Sequence, residues 1–331
     1  MCHHDYWVSK NVLVTGADGF MGSHLCDKLI ELKSNIIALV RGTSISGTTG
    51  HSLKNIAHLD GKNIQIVAVD IASTDLMRII ERVSPDVIFH LGAIAYVPYS
   101  FEHPIEVHNV NSLGTLNLLE AAKNLNNLER VVICSSSEIY GTAQKDSIDE
   151  EHPLNPTSPY AASKVAADRY AYAYYETYGV PVSIIRPFNY YGPRHTYDVI
   201  PKFINMVIGG EEPTIHGDGS QSRDFTYVTD MVEAFLLMGS HEKAVGEAVN
   251  FGTGKDVTIK YIAEKIIEIS GKRLAPKFIE KRLAEVNRLT CNSKKAKELF
   301  GWEHRVSIEE GLALNYRWSE NCHQKGKLTA G

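Results

Sequence analysis

The sequence predicts an α/β fold: a Rossmann-like parallel sheet with helices on both faces and a smaller C-terminal substrate-binding region. Three observations carry that expectation. Short apolar runs alternate with segments of helical spacing through the first half of the chain, and a glycine-rich turn follows the first run and opens the first helix. Beyond about residue 187 the alternation gives way to turns and aromatic residues.

Taken in order, "NVLVTG" reads as a buried strand, "SHLCDKLIEL" has helical spacing, and "IIALV" and "IQIVAVDI" are two further strands. "DLMRIIERV" is the next helix and "DVIFHLG" the next strand. "TLNLLEAAKNL" then leads into "RVVICSSS", and the long helical "AASKVAADRYAYAYYETYG" leads into "VPVSIIRPF". Residues 1–186 are expected to form the dinucleotide-binding half, with the sheet completed by about 241–268; residues 187–240 and 269–331 are expected to form the substrate side. No low-complexity linker or internal repeat separates them, so the two should pack closely.

Composition limits the classes of function. The 331 residues are 44% apolar and 22% charged, enough for a large core. A formal charge of -5 without a sustained Lys/Arg cluster gives no support for nucleic-acid or anionic-membrane binding. No apolar run approaches the ~18 residues of a membrane span, and "MCHHDYW" lacks a signal peptide's apolar segment. The five cysteines, Cys2, Cys26, Cys134, Cys291 and Cys322, lack the spacing of a zinc site, so reduced thiols in a cytoplasmic protein are expected and no metal is assigned. The tip bearing Cys2, His3 and His4 is expected to be a loose end.

In "VLVTGADGFMGSHL", Gly16, Gly19 and Gly22 follow a strand and open a helix, which suits a pyrophosphate approaching backbone N–H groups at the helix N-terminus. Phe20 and Met21 lie inside that turn, and Ile71 and Leu91 follow later strands; all four are expected to contact the cofactor. After the second strand, Arg41 with Thr43 and Ser44 stands where an NAD site commonly has an acid, favouring NADP; an Arg41 that only stacks on adenine or faces solvent leaves NAD. Asp70 either accepts from the adenine amino group or caps its turn. Tyr160 and Lys164 lie one helical turn apart, so that the ammonium is expected to lower the phenol pKa and hold the nicotinamide ribose. Ser135 to Glu138 stand beyond a strand's carboxyl end, where ligands of such sheets bind.

The blocks "TGADGFMGSHL", "FHLGA", "VNSLGTLNLLEAA", "SSSEIYG", "YAASK", "RPFNYYGPR", "SRDFTYVTD" and "CNSKKAKELFGW" together resemble the extended short-chain dehydrogenase/reductase family, in its NAD(P)-dependent nucleotide-sugar epimerase and dehydratase branch. The look is nearest to the GDP-mannose and legionaminic-pathway types of 4,6-dehydratase. The resemblance covers nearly the whole chain. It implies a nucleotide-diphosphate sugar as substrate and a homodimer through helices at about 101–124 and 160–178. It implies that Ser136 hydrogen-bonds the sugar beside Tyr160 and Lys164, and that Glu138 is the base that takes the C5 proton in a 4,6-dehydratase. Ser137 replaces the Asp that some dehydratases use as acid, leaving proton delivery to Glu138. It further implies that Asn189, Arg223 and Arg282 hold the diphosphate, although Leu283 and Ala284 depart from the Pro-Gly that usually follows the last. Tyr96 and Ser100 are expected near the sugar. A 4-epimerase, a UDP-glucuronate decarboxylase and a non-catalytic NADP-binding regulator remain alternatives.

Overall fold

Alternation along the strands builds the centre of the molecule. In the computed structural model, which describes residues 3–41, 53–281 and 286–326, seven parallel strands form one sheet. These are β1 (Asn11–Thr15), β2 (Asn35–Val40), β3 (Ile64–Ala68), β4 (Val87–His90), β5 (Arg130–Cys134), β6 (Val182–Pro187) and, later in the chain, β10 (Ala248–Phe251). Their spatial order is β10-β6-β5-β4-β1-β2-β3. Val12, Val14, Val87, Phe89 and Val132 point to one buried cluster, and Leu13, Ile88, Val131 and Ile133 point to another. Both faces are therefore apolar, which is why the strands read as nearly continuous hydrophobic runs.

Helices α1 (Phe20–Glu31) and α8 (Val228–Ser240) fill the first face; α2 (Asp75–Val83), α5 (Gly114–Ala122) and α6 (Pro159–Tyr178) fill the second. Helix α8, expected with the substrate side, belongs to the sheet: its Met238 carbonyl accepts from Arg130 at 3.0 Å and from Ser183 at 2.9 Å. The expected helix at about 101–124 is broken. Pro104 ends α3 (Val97–Glu102) and starts α4 (Pro104–His108), and a π-turn over Asn109–Leu113 precedes α5. Pro104 lacks the N–H that a continuous helix would need there.

The tip is not loose. Residues His3–Trp7 form a 3-10 turn, and Trp7 is fully buried with its ring 5.6 Å from that of Phe89. Cys2 lies outside the described residues.

The remaining elements cover the carboxyl ends of the strands. A small sheet combines β7 (Asn189–Tyr191), β9 (Ser222–Tyr227), β11 (Asp256–Thr258) and β13 (Arg288–Leu289), while β8 (Thr214–His216) pairs with β12 (Lys277–Ile279). Helices α7 (Val199–Ile208), α9 (Ile259–Ser270), α10 (Lys294–Phe300) and α11 (Ile308–Gln324) complete this side. Asp224 pins it: its buried carboxylate accepts from Thr253 N, Gly254 N and Cys291 N.

Candidate active site

The glycine turn is shaped by close approach. Gly16 has φ +66, and Gly19 N donates to Gly16 O at 2.9 Å, folding the chain back as α1 begins. A Cβ on Gly22 would lie 2.2 Å from Gly16 O, so only glycine lets the helix enter here. The open N–H groups of the first turn of α1 stand at the carboxyl end of β1, beside β4, where the strand order reverses. This cradle fits a dinucleotide. Met21 and Ile71 are buried, and Leu91 lines the cavity wall with Phe20.

Arg41 is exposed at the end of β2, and its guanidinium is 3.2 Å from Glu106 Oε1. Thr43 and Ser44 lie outside the described residues. Asp70 caps its own turn, accepting from Ala72 N at 2.9 Å.

The polar cluster after β5 ends the strand by a hydrogen bond. Ser136 Oγ accepts from Glu138 N at 3.2 Å and caps the 3-10 turn Ser137–Tyr140. The turn places Ser136 and Glu138 on the wall of a cavity of about 420 Å³, together with Tyr160, Lys164, Asn189 and Arg223. Ser158 starts α6 by accepting from Ala161 N at 3.1 Å, with Pro159 in its first turn, so Tyr160 and Lys164 follow on the helix's buried face.

One expected interaction differs. Lys164 Nζ donates to the Cys134 carbonyl at 2.7 Å, anchoring α6 to the end of β5. Burial pushes the Tyr160 phenol well above its ordinary pKa, opposed by a hydrogen bond with Ser136. Burial also lowers the pKa of Lys164. The net shift of the phenol is therefore upward, the reverse of the expected lowering, because desolvation is the largest influence on it.

Burial raises the Glu138 pKa; Arg223 lowers it, and Asp198 raises it further. Asn189 Oδ1 and Ser135 Oγ are buried without a hydrogen-bond partner among the described residues. Arg223 Nη1 donates to Ser222 O at 2.8 Å while the side chain lines the cavity. Ser137 is buried beneath the turn but also reaches the lining. Tyr96 stands at the wall, half exposed and 5.9 Å from Tyr197 between ring centroids. Ser100 departs from expectation: it is fully buried in α3 and its hydroxyl donates to Val97 O at 2.7 Å, away from the cavity. Arg282, with Leu283 and Ala284, lies outside the described residues.

Sequence reasoning missed the loop between β7 and α7. Arg194 pairs with Asp27 of α1 at 2.7 Å, and His24 of α1 meets the Pro193 carbonyl at 2.9 Å. These contacts set His195, Tyr197 and Asp198 into the cavity wall. The Gly-Pro-Arg turn after an apolar strand was the available signal. His90 was also missed. It is buried between Thr15 Oγ1 at 2.9 Å and Thr115 Oγ1 at 3.0 Å, and burial pushes its pKa down to about 3, so it ties β4 to β1 and α5 as a neutral ring. Among the described residues no group of three or more His, Cys, Asp or Glu is arranged to hold a metal, and no helix is long and apolar enough to cross a membrane.

Comparison with known proteins agrees with this fold. The family model for GDP-mannose 4,6 dehydratase matches residues 13–314. The chain is 34% identical over 317 residues to a UDP-glucose 4-epimerase of Mycolicibacterium smegmatis, covering 94% of this chain and 99% of that protein. It is equally 34% identical over 327 residues to the dTDP-D-glucose 4,6-dehydratase of Homo sapiens, covering 95% and 91%. The crystal structure of a dTDP-glucose 4,6-dehydratase from Bacillus anthracis in complex with NAD superposes with a TM-score of 0.84 at 30% identity, covering 96% of this chain and 98% of that one.

Proposed function

The chain belongs to the extended short-chain dehydrogenase/reductase family of nucleotide-sugar dehydratases and epimerases, and we propose that within it this enzyme is a nucleotide-sugar 4,6-dehydratase. The observation that carries this reading is Glu138, whose carboxyl lines the same cavity as Ser136, Tyr160 and Lys164. Oxidation and reduction at one sugar carbon need no such base, whereas elimination across C5–C6 does.

In this reading the first turn of α1 and Gly16 hold the cofactor diphosphate, and Arg41, Asp70 and Ile71 flank its adenosine end. A nicotinamide dinucleotide, when bound, supplies the hydride acceptor and donor. Tyr160, hydrogen-bonded to Ser136, takes the proton from the sugar's C4 hydroxyl as its phenolate, a form that burial disfavours and the Ser136 hydrogen bond favours, and Lys164 would hold the nicotinamide ribose. Glu138 then takes the C5 proton, made acidic by the neighbouring ketone, and returns a proton to the C6 oxygen as it leaves as water. Asn189 and Arg223 hold the substrate diphosphate, for which a guanidinium fork and an unsatisfied amide are suited. Residues 187–240 without α8, and 269–331, form the nucleotide-sugar side in this scheme. A preference for NADP from Arg41, a homodimer through the segments at about 101–124 and 160–178 and a cytoplasmic location complete the proposal.

The test is incubation of wild type and Glu138→Gln with UDP-, GDP-, CDP- and dTDP-sugars, read by product mass and by deuterium uptake at C5. Loss of one water by the wild type is expected, with Glu138→Gln slower by a factor on the order of 10²–10⁴ and without exchange at C5. Because burial raises the Glu138 pKa, the base is protonated as pH falls through that raised value, so activity should fall at a higher pH than an exposed glutamate would require. Product of unchanged mass, or a Glu138→Gln variant as fast as wild type, makes 4-epimerisation the better account; loss of CO2 makes it decarboxylation.

A further inference from the structure

Phe20, His24 and Asp27 stand at i, i+4 and i+7 of α1, so they share one side of the helix. All three hold the loop between β7 and α7. The His195 ring lies flat on Phe20, with centroids 4.5 Å apart and planes at 3°, and the Tyr190 ring lies near-parallel to it at 5.6 Å and 21°. One turn along, His24 is edge-on to Phe20 at 5.7 Å and its Nε2 is 2.9 Å from the Pro193 carbonyl. Asp27 pairs with Arg194.

The chain therefore leaves the Phe20 ring at Tyr190, turns through Gly192, and comes back to the same ring at His195. The contact runs on from there: His195 meets Tyr197 edge-on at 4.8 Å, and its Nε2 is 3.2 Å from Asp198 Oδ2. Arg194 and Asp198 have φ of +70 and +76, which non-glycine residues hold only where their surroundings impose it. Phe20, Tyr190, His195, Tyr197 and Asp198 all line the cavity.

We propose that the Phe20 side chain, although it stands in the cofactor turn, is a positioning residue for the substrate: its ring holds Tyr190 and His195, and through them the loop that presents Tyr197 and Asp198. This rests on the reading of the cavity as a nucleotide-sugar site, and not on which reaction follows. The cofactor diphosphate is left to the backbone N–H groups of the turn, which a change of the Phe20 side chain does not remove. The ring does a separate task. Leucine in its place keeps apolar volume but loses the flat face, and a loop no longer held must be ordered by the ligand at the expense of affinity.

The experiment is calorimetric titration with the dinucleotide that wild type binds more tightly, NAD or NADP, and then of the loaded enzyme with UDP-glucose, dTDP-glucose, GDP-mannose and CDP-glucose. Phe20→Leu should keep dinucleotide affinity within about twofold and weaken the nucleotide sugar that wild type binds by about three- to tenfold. Phe20→Tyr keeps the ring and should bring that affinity back to within about twofold of wild type, a rescue that filled space alone would not give. His195→Leu should reproduce much of the loss, and the Phe20→Leu/His195→Leu double variant should add little to Phe20→Leu, because the two residues act through one contact. Equal weakening of dinucleotide and sugar by Phe20→Leu overturns the proposal, as do an unmoved sugar affinity, a Phe20→Tyr variant as weak as Phe20→Leu, or losses that simply add in the double variant. If Phe20→Leu does not fold, His195→Leu decides, since it lies outside the glycine turn: dinucleotide affinity kept with sugar affinity lost supports the proposal, and any other pattern overturns it. A wild type that binds the dinucleotide and none of the four sugars removes the nucleotide-sugar reading and this inference with it; sugar binding indifferent to both residues removes only the inference.

Discussion

The two sides of the cavity are held in different ways. On the sheet side, Ser136, Glu138, Tyr160 and Lys164 stand on strand ends and a helix locked by ladders, by the Lys164–Cys134 contact and by a buried ion pair beneath them. That pair joins Asp168 of α6 to Arg186 of β6, with Nε 2.9 Å from Oδ2 and Nη2 3.0 Å from Oδ1. On the other side, residues 192–198 have little regular structure. Arg194 and Asp198 adopt positive φ, and the loop is docked on α1 through Arg194–Asp27 and His24–Pro193. The comparison teaches that the groups assigned to chemistry are fixed by the fold itself, while the loop that closes the opposite wall is fixed by a few side chains. Substitutions on the two sides should therefore fail differently.

The largest effect is expected at Tyr160. Tyr160→Phe removes only the hydroxyl in a buried site, so the fold should persist while oxidation at C4 slows by a factor on the order of 10²–10⁴. Single-turnover absorbance of the reduced nicotinamide measures this directly. Substantial reduction by Tyr160→Phe would place the proton acceptor elsewhere and remove the functional half of the contrast.

Next in size is stability. Asp168→Ala leaves the Arg186 guanidinium buried without its carboxylate, and breaking such a pair costs about 3–5 kcal/mol. Arg194→Met severs the more exposed pair with Asp27, for which about 1 kcal/mol or less is expected. Urea unfolding gives both values, and substrate KM completes the test: Arg194→Met should raise KM despite its small effect on stability. Equal losses of stability from the two variants would erase the distinction between the sides.

The same distinction explains what was legible in the chain. The sheet was readable because the central strands bury both faces, making "VLVT", "VIFH" and "VVIC" stand out, and because the glycine turn has few physical alternatives. That Tyr160 and Lys164 share one helix face was readable from their spacing, which local geometry preserves. Asp198 and His195 were not, because their placement depends on Asp27, His24 and Phe20, which lie far away in sequence. Ser100 was misplaced for a related reason: Pro98 and Pro104 bound a short helix whose own Val97 carbonyl takes its hydroxyl. The Lys164 contact with Cys134 was hidden because spacing along a helix says nothing of which carbonyl the next strand presents.

The smallest effect is expected at Arg41, where the sheet side reaches solvent and fixes its side chain no better than the loop does. The guanidinium is exposed and 3.2 Å from Glu106, whose other oxygen accepts from Tyr99 at 2.6 Å. A 2′-phosphate would have to compete with Glu106 for that charge, and exposed pairs are weak and screened by salt. The preference for NADP over NAD should therefore be modest, within about tenfold, and should shrink as ionic strength rises. Arg41→Asp should reverse it by replacing a donor to phosphate with an acceptor from ribose hydroxyls. Glu106→Gln should strengthen it by releasing the guanidinium. Both are measured as the ratio of NADP to NAD dissociation constants at low and high salt. A ratio near one in the wild type that Arg41→Asp leaves unchanged would mean that Arg41 serves only its contact with Glu106, and that the adenosine end is read by other groups.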